Sequence, residues 1–200
     1  LIFNHLVVFL LFIVFLGIPD FSLIKFRSIQ YIIAGGLFWT IAMFFDLKAH
    51  RHMDVALSGI FGALRYVFLA IAGVIFFQEQ INWNRSLGMI FIVLSIISNT
   101  DLFSMKFRKG TAFRLIAIIF INLGIINDKF LTQTAEIKLI AFSAYLIPGM
   151  IYFLIKPKHI FRIPAEIKNS RGSLIFVPIF TAIIYYKYVQ AFTLGGLIVT

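Results

Sequence analysis

The stretch DVALSGIFGALRYVFLAIAGVIFF, residues 54–77, decides the fold. After Asp54 it holds one charged side chain, Arg65, and no proline. A helix needs about 20 apolar residues to cross roughly 30 Å of hydrocarbon, and this run is long enough. A soluble amphipathic helix would keep a polar face opposite its apolar stripe. Here apolar residues surround the axis, which places the helix in lipid. The other backbone solution in lipid, a closed β-barrel, needs short segments of alternating polarity, and the chain has none.

The same pattern repeats outward in both directions. With Pro, Gly and charge clusters as punctuation, helices fall near residues 2–18, 28–46, 54–77, 84–101, 111–127, 138–155 and 173–190. The expected fold is therefore all-α, a polytopic transmembrane bundle of about seven helices. Composition agrees, since 61% of the 200 residues are hydrophobic and 13% charged, against roughly 45–50% and about 25% in soluble domains. There is no Cys, which excludes disulfides, thiolate catalysis and Cys-ligated metals. The chain opens on Leu1 inside an apolar stretch, and Gly195 to Thr200 reads as the start of another membrane segment.

Net charge is +10, which in a soluble protein would point to nucleic acid. Here the basic residues sit mostly in short connections, so they report topology and no nucleic-acid partner is expected. Alternating the connections puts five cations on one side (Lys25, Arg27, Arg85, Lys129, Lys138) and ten on the other (Lys48, Arg51, Lys106, Arg108, Lys109, Lys156, Lys158, Arg162, Lys168, Arg171). The positive-inside bias makes the second set cytoplasmic in a multi-pass protein of the cell membrane. The connection Lys156 to Gly172 is long enough to hold a small surface helix.

Between Ala56 and Ser98 the pattern is more specific. An apolar helix with small residues ends in Phe76, Phe77, Gln78, Glu79, Gln80, and after a turn comes Leu87, Gly88, Met89, Ile90, Phe91, Ile92, Val93, Leu94. This resembles the repeat of the drug/metabolite transporter superfamily, the EamA-like carriers, in which an apolar helix ends in a Gly-Glu-Arg-like element. Asp46 to Met53 looks like that family's join between its third and fourth helices. Gly110 to Lys129 looks like the opening helix of a second repeat. Gln78 stands where family members often have Gly, Gln80 where many have Arg, and the Pro common in the fourth helix is absent.

The resemblance implies a ten-helix carrier of two inverted five-helix repeats, of which residues 1–103 would end the first and 104–200 begin the second. It also implies alternating access around a cavity between the repeats, with no catalytic residue and no cofactor. The partners implied are membrane lipids and a small-molecule substrate; a homodimer is compatible with the pattern.

Candidate site residues follow from polarity at depth. Arg65 lies near the middle of its helix, where an unpaired guanidinium costs at least about 2.5–3.5 kcal/mol on insertion scales. It would either bind an anionic group of the cargo bidentately or snorkel or pair inside the bundle. Glu79, at the position of the family's acidic residue, would serve gating or proton coupling, or else cap the turn or pair with Arg85. Asn122 is deep in an aliphatic helix and either contacts cargo or hydrogen-bonds between helices. Asn127 falls nearer the helix end. Trp39 and Tyr145 are the deeper members of an aromatic set with Tyr152, Tyr185, Tyr186 and Tyr188, and could line a cavity for amphipathic or cationic molecules; aromatics near helix ends also anchor at the interface. Gly35, Gly36, Gly59, Gly62, Ala63 and Gly73 permit close helix contacts.

His50, His52 and Asp54 are ligand types at poor spacing, so no metal is expected there. No Ser, His and Asp set or HExxH arrangement is present, so the chain is not read as an enzyme. The expected function is secondary transport of a small organic metabolite. A nonenzymatic membrane scaffold or complex subunit is the alternative, and a membrane-embedded lipid-modifying enzyme stands behind both.

Overall fold

The computed structural model describes residues 2–20, 25–80, 82–99, 109–158 and 173–194. Helix is the dominant element of these residues, and there is no strand among them. The helices are α1 (Ile2–Leu16), α2 (Phe26–His50), α3 (Val55–Gly62), α4 (Leu64–Phe77), α5 (Trp83–Asn99), α6 (Lys109–Thr132), α7 (Ile137–Ile155) and α8 (Ser173–Leu194). Only Ala63 separates α3 from α4, and together they give the span Leu57–Phe77. Seven apolar helices in the expected order result. Four of them are long and apolar enough to cross a membrane: Phe26–His50, Leu57–Phe77, Lys109–Thr132 and Lys138–Ile155. The proposed surface helix after Lys158, the segment at Gly195–Thr200, Lys106 and Arg108, and the boundary between residues 103 and 104 all lie outside the described residues.

Two helices run further than their polarity predicts. The helix expected over 28–46 reaches His50, and the one expected over 111–127 reaches Thr132. In both cases polar residues read as an exit belong to the helix, because partners hold them there. The helix expected over 54–77 is interrupted at Ala63. Its N–H is shared between the carbonyls of Gly59 and Ile60, each at 3.1 Å.

The described chain forms two compact units. The first contains residues 1–40 and 127–195, so it takes α1, the start of α2, the end of α6, α7 and α8. In it α1 packs against α7 and α8, and α7 against α8. Its core joins Val8, Phe12, Leu131, Ile140, Ala144, Tyr145, Ala182, Tyr185 and Val189. Helix α8 sorts its residues by face: Pro178, Ala182, Tyr185 and Val189 are buried, whereas Phe176, Phe180, Ile183 and Ile184 are exposed. Both sets keep helical spacing, so an apolar outer stripe is left for lipid. Pro148 in α7 and Pro178 in α8 are both fully buried inside their helices.

The second unit contains residues 41–126, with the end of α2, α3, α4, α5 and most of α6. Here α5 packs against α3 and α4. Its outer face is also apolar, with Ile90, Phe91, Leu94 and Ile97 exposed at helical spacing. Helix α4 ends at Gln78, whose φ of 53° is left-handed. The N–H groups of Gln78 and Glu79 both donate to the Gly73 carbonyl. A Cβ on Gly73 would lie 3.0 Å from Glu79 Oε2, so that glycine makes room for the carboxylate folded back on the helix end.

Candidate functional site

In the first unit the site is built around Asp128. The sequence Asn127, Asp128, Lys129 has the composition of a helix exit, yet Asp128 is 0% exposed. Its Oδ2 accepts two hydrogen bonds, from Trp39 Nε1 at 3.2 Å and from Tyr185 Oη at 2.9 Å. Among the described residues its Oδ1 has no hydrogen-bond partner, and no cation forms an ion pair with it. An isolated carboxylate in an apolar interior is expensive, and ionisable groups inside membrane spans concentrate at functional sites.

Rings enclose this carboxylate from several helices. Tyr185 of α8 stands edge-to-face to Tyr145 of α7, at 5.1 Å and 89°. It also meets Trp39 of α2 at 6.3 Å and 78°. Phe12 of α1 packs against Tyr145 at 5.7 Å, and His5, 1% exposed, packs against the other side of the cluster with its ring 5.7 Å from Tyr145. An open, apolar groove of about 250 Å³ runs beside these residues, lined by His5, Leu6, Phe9, Tyr145, Gly149 and Phe153 among others. Tyr145 is the wall that groove and cluster share.

Close helix approach sets up this arrangement. A Cβ on Gly35 would lie 2.6 Å from Asn127 Nδ2 and 3.6 Å from Asp128 Oδ1. Gly35 therefore lets α2 lie against the polar end of α6. Asn127 Nδ2 donates to the Tyr31 carbonyl at 2.9 Å, and Ser28 Oγ to the Thr134 carbonyl at 3.1 Å. Low numbers on α2 thus meet high numbers at the α6 end, the pairing of antiparallel segments. Asn127 is as buried as Asn122, at 6% each.

The second unit holds the remaining predicted residues. Arg65, partly exposed near the start of α4, turns to its neighbour: Nη2 donates to Tyr66 Oη at 2.6 Å, and the guanidinium lies 4.7 Å from that ring. Among the described residues no carboxylate pairs with it. Among the described residues Asn122 has no hydrogen-bond partner on either amide atom. Glu79 sits at the α4 end as described, half-buried. The structure brings Trp39 and Tyr145 into one cluster; Arg65, Asn122 and Glu79 belong to the other unit.

That unit also contains an ion pair with no counterpart in the sequence expectations. Asp46 on α2 pairs with Arg114 on α6. Arg114 Nε donates to the Ser58 carbonyl at 3.0 Å, and its Nη2 lies where a Cβ on Gly62 would stand. His50 Nε2 is 3.6 Å from Asp46, and the His52 ring lies 5.9 Å from that of Phe113. Among the described residues no three His, Asp or Glu side chains converge as metal ligands.

Asp128 was missed because its neighbours look like punctuation. The usable signal was Trp39, whose indole N–H at mid-helix needs an acceptor. No family model matches the chain, and no curated protein matches its sequence.

Proposed function

We propose that this chain is part of a secondary transporter of the cell membrane, moving a small organic metabolite by alternating access between two helical repeats. The observation that carries the reading is Asp128, a fully buried carboxylate within the span Lys109–Thr132, with one oxygen unpartnered. Ionisable groups held inside membrane spans concentrate on substrate and ion pathways. Four apolar spans supply the multi-pass frame. The turn after α4 has a geometry that the resembled element would also take. Gln78 holds a left-handed φ of 53°, the conformation Gly takes without steric cost, at the position where the resembled element has Gly.

The scaffold reading draws on Asn127 and Ser28, whose side chains are spent on carbonyls of neighbouring segments. It predicts that replacing Arg65 or Asn122 lowers abundance and leaves flux per molecule unchanged.

The test is uptake of a mixed metabolite pool into proteoliposomes holding the purified protein, with Arg65→Gln and Asp128→Asn variants at matched abundance. Accumulation of one solute class that a folded variant loses supports transport. No flux by folded protein, under imposed pH gradients and with preloaded exchange solutes, refutes it.

A further inference from the structure

We propose that the groove between α1 and α7, with the two lysines that follow α7, is a binding site for one anionic phospholipid. An acyl chain lies in the groove and the phosphate meets Lys156 and Lys158. The inference needs α7 to cross a membrane and does not depend on the carrier reading.

The groove accepts hydrocarbon. Leu6, Phe9, Leu146, Met150 and Phe153 line it, and its two polar lining residues, His5 and Tyr145, are themselves buried. A water needs two to four polar partners to settle, so the space of about 250 Å³ suits a chain. Leu6, Met150 and Phe153 are exposed, and α7 supplies the span Lys138–Ile155, so the groove opens onto the bilayer interior. A Cβ on Gly149 would stand 3.2 Å from the Cβ of His5, which brings α1 and α7 close together along it. His5 meets Tyr152, and Phe12 meets Tyr145. The two helices are therefore antiparallel, and the start of α1 lies toward the end of α7.

The end of α7 supplies the charge. Tyr145 to Phe153 covers about 12 Å of helix rise, and Lys156 follows about 4.5 Å further on. Gly149, Phe153 and Lys156 are spaced four and three apart and recur on one face. The Lys156 N–H donates to the Tyr152 carbonyl at 3.0 Å, which keeps it in helical register. Because the span ends at Ile155, Lys156 and Lys158 stand at the depth of lipid phosphates. Both are exposed, and among the described residues neither forms an ion pair. The described acids of this unit are elsewhere: Asp20 follows the far end of α1, Glu136 precedes the far end of α7, and Asp128 is fully buried. Basic groups beside membrane helices hold anionic head groups. Phosphatidylcholine offers the same chains but would bring its own cation up to the two lysines.

Native mass spectrometry of the purified protein in neutral detergent tests this. The protein is titrated with dioleoylphosphatidylglycerol, dioleoylphosphatidylcholine and inorganic phosphate. One phosphatidylglycerol should be retained about ten-fold more tightly than phosphatidylcholine, and phosphate should not be retained. Lys156→Gln with Lys158→Gln should abolish that preference, whereas Lys48→Gln with Arg51→Gln, which removes equal charge from the other unit, should leave it intact. Leu6→Trp, which fills the groove from an exposed position, should weaken both lipids; where it does not fold, Met150→Trp does the same from α7. Equal retention of the two lipids, or equal loss in the two double variants, overturns the role of Lys156 and Lys158 and the proposal with it. A folded groove-filling variant that binds as before overturns the groove. Phosphate bound as tightly as the lipid overturns the lipid as ligand.

Discussion

Gly35→Ala tests whether α2 and the end of α6 meet as described. The added Cβ would stand 2.6 Å from Asn127 Nδ2, closer than carbon and nitrogen tolerate. Asn127 must then turn away and give up its 2.9 Å bond to the Tyr31 carbonyl. Overpacking costs about 1–3 kcal/mol, and an interhelical hydrogen bond in a membrane protein averages about 0.6 kcal/mol. Against this, Ala is favoured over Gly within a helix by about 1 kcal/mol. Gly88→Ala provides that last effect alone, because a Cβ there meets nothing within 4 Å. The difference between the variants removes helix propensity and leaves packing plus hydrogen bond, about 1.5–3.5 kcal/mol. Reversible unfolding in SDS mixed micelles, followed by far-ultraviolet circular dichroism, measures it. Gly35→Ala as stable as Gly88→Ala, or more so, would refute the close approach and the placement of Asn127 with it.

Other substitutions probe separate features. Leu131→Ala, at a position 0% exposed, should destabilise by about 2–5 kcal/mol in the same assay. Gln78→Gly should stabilise by up to about 1 kcal/mol, since a left-handed φ carries a Cβ penalty that Gly avoids; a loss of stability would contradict that turn. A double-mutant cycle of Asp46→Asn and Arg114→Gln should give a coupling of about 1 kcal/mol. The half-exposed carboxylate keeps it at the low end, and a value indistinguishable from zero would mean the pair does not hold α2 to α6.

Helix number, order and approximate limits were legible because lipid leaves so few alternatives. Runs such as residues 54–77 can only be helices once every backbone group must be paired internally. The end of α6 was not legible. Asn127, Asp128 and Lys129 look like an exit on propensity and polarity, and only the Trp39 indole, the Tyr185 hydroxyl and the Tyr31 carbonyl make burial of the first two affordable. Those partners come from segments far away in the chain, so no local window contains the information. The same holds for Asp46 and Arg114, 68 residues apart, each of which alone looks like a loop charge. Trp39 and Tyr145 could be picked out by depth, but the carboxylate that gives their rings a purpose could not. The break at Ala63 was equally hidden, because Gly62 reads as a packing residue until the Arg114 guanidinium occupies the space beside it.

The two buried prolines give the aromatic cluster mechanical joints. A proline inside a helix supplies no N–H to the carbonyl four residues earlier, so the rod loses a strut at that turn and bends there first. In α7 that turn begins at Ala144, beside Tyr145, and in α8 Tyr185 lies seven residues beyond Pro178 on the same helical face. Tyr145 and Tyr185 are therefore each carried on a lever whose most compliant point lies within two turns. Flexure of either rod at its proline would displace a ring relative to the carboxylate on proline-free α6.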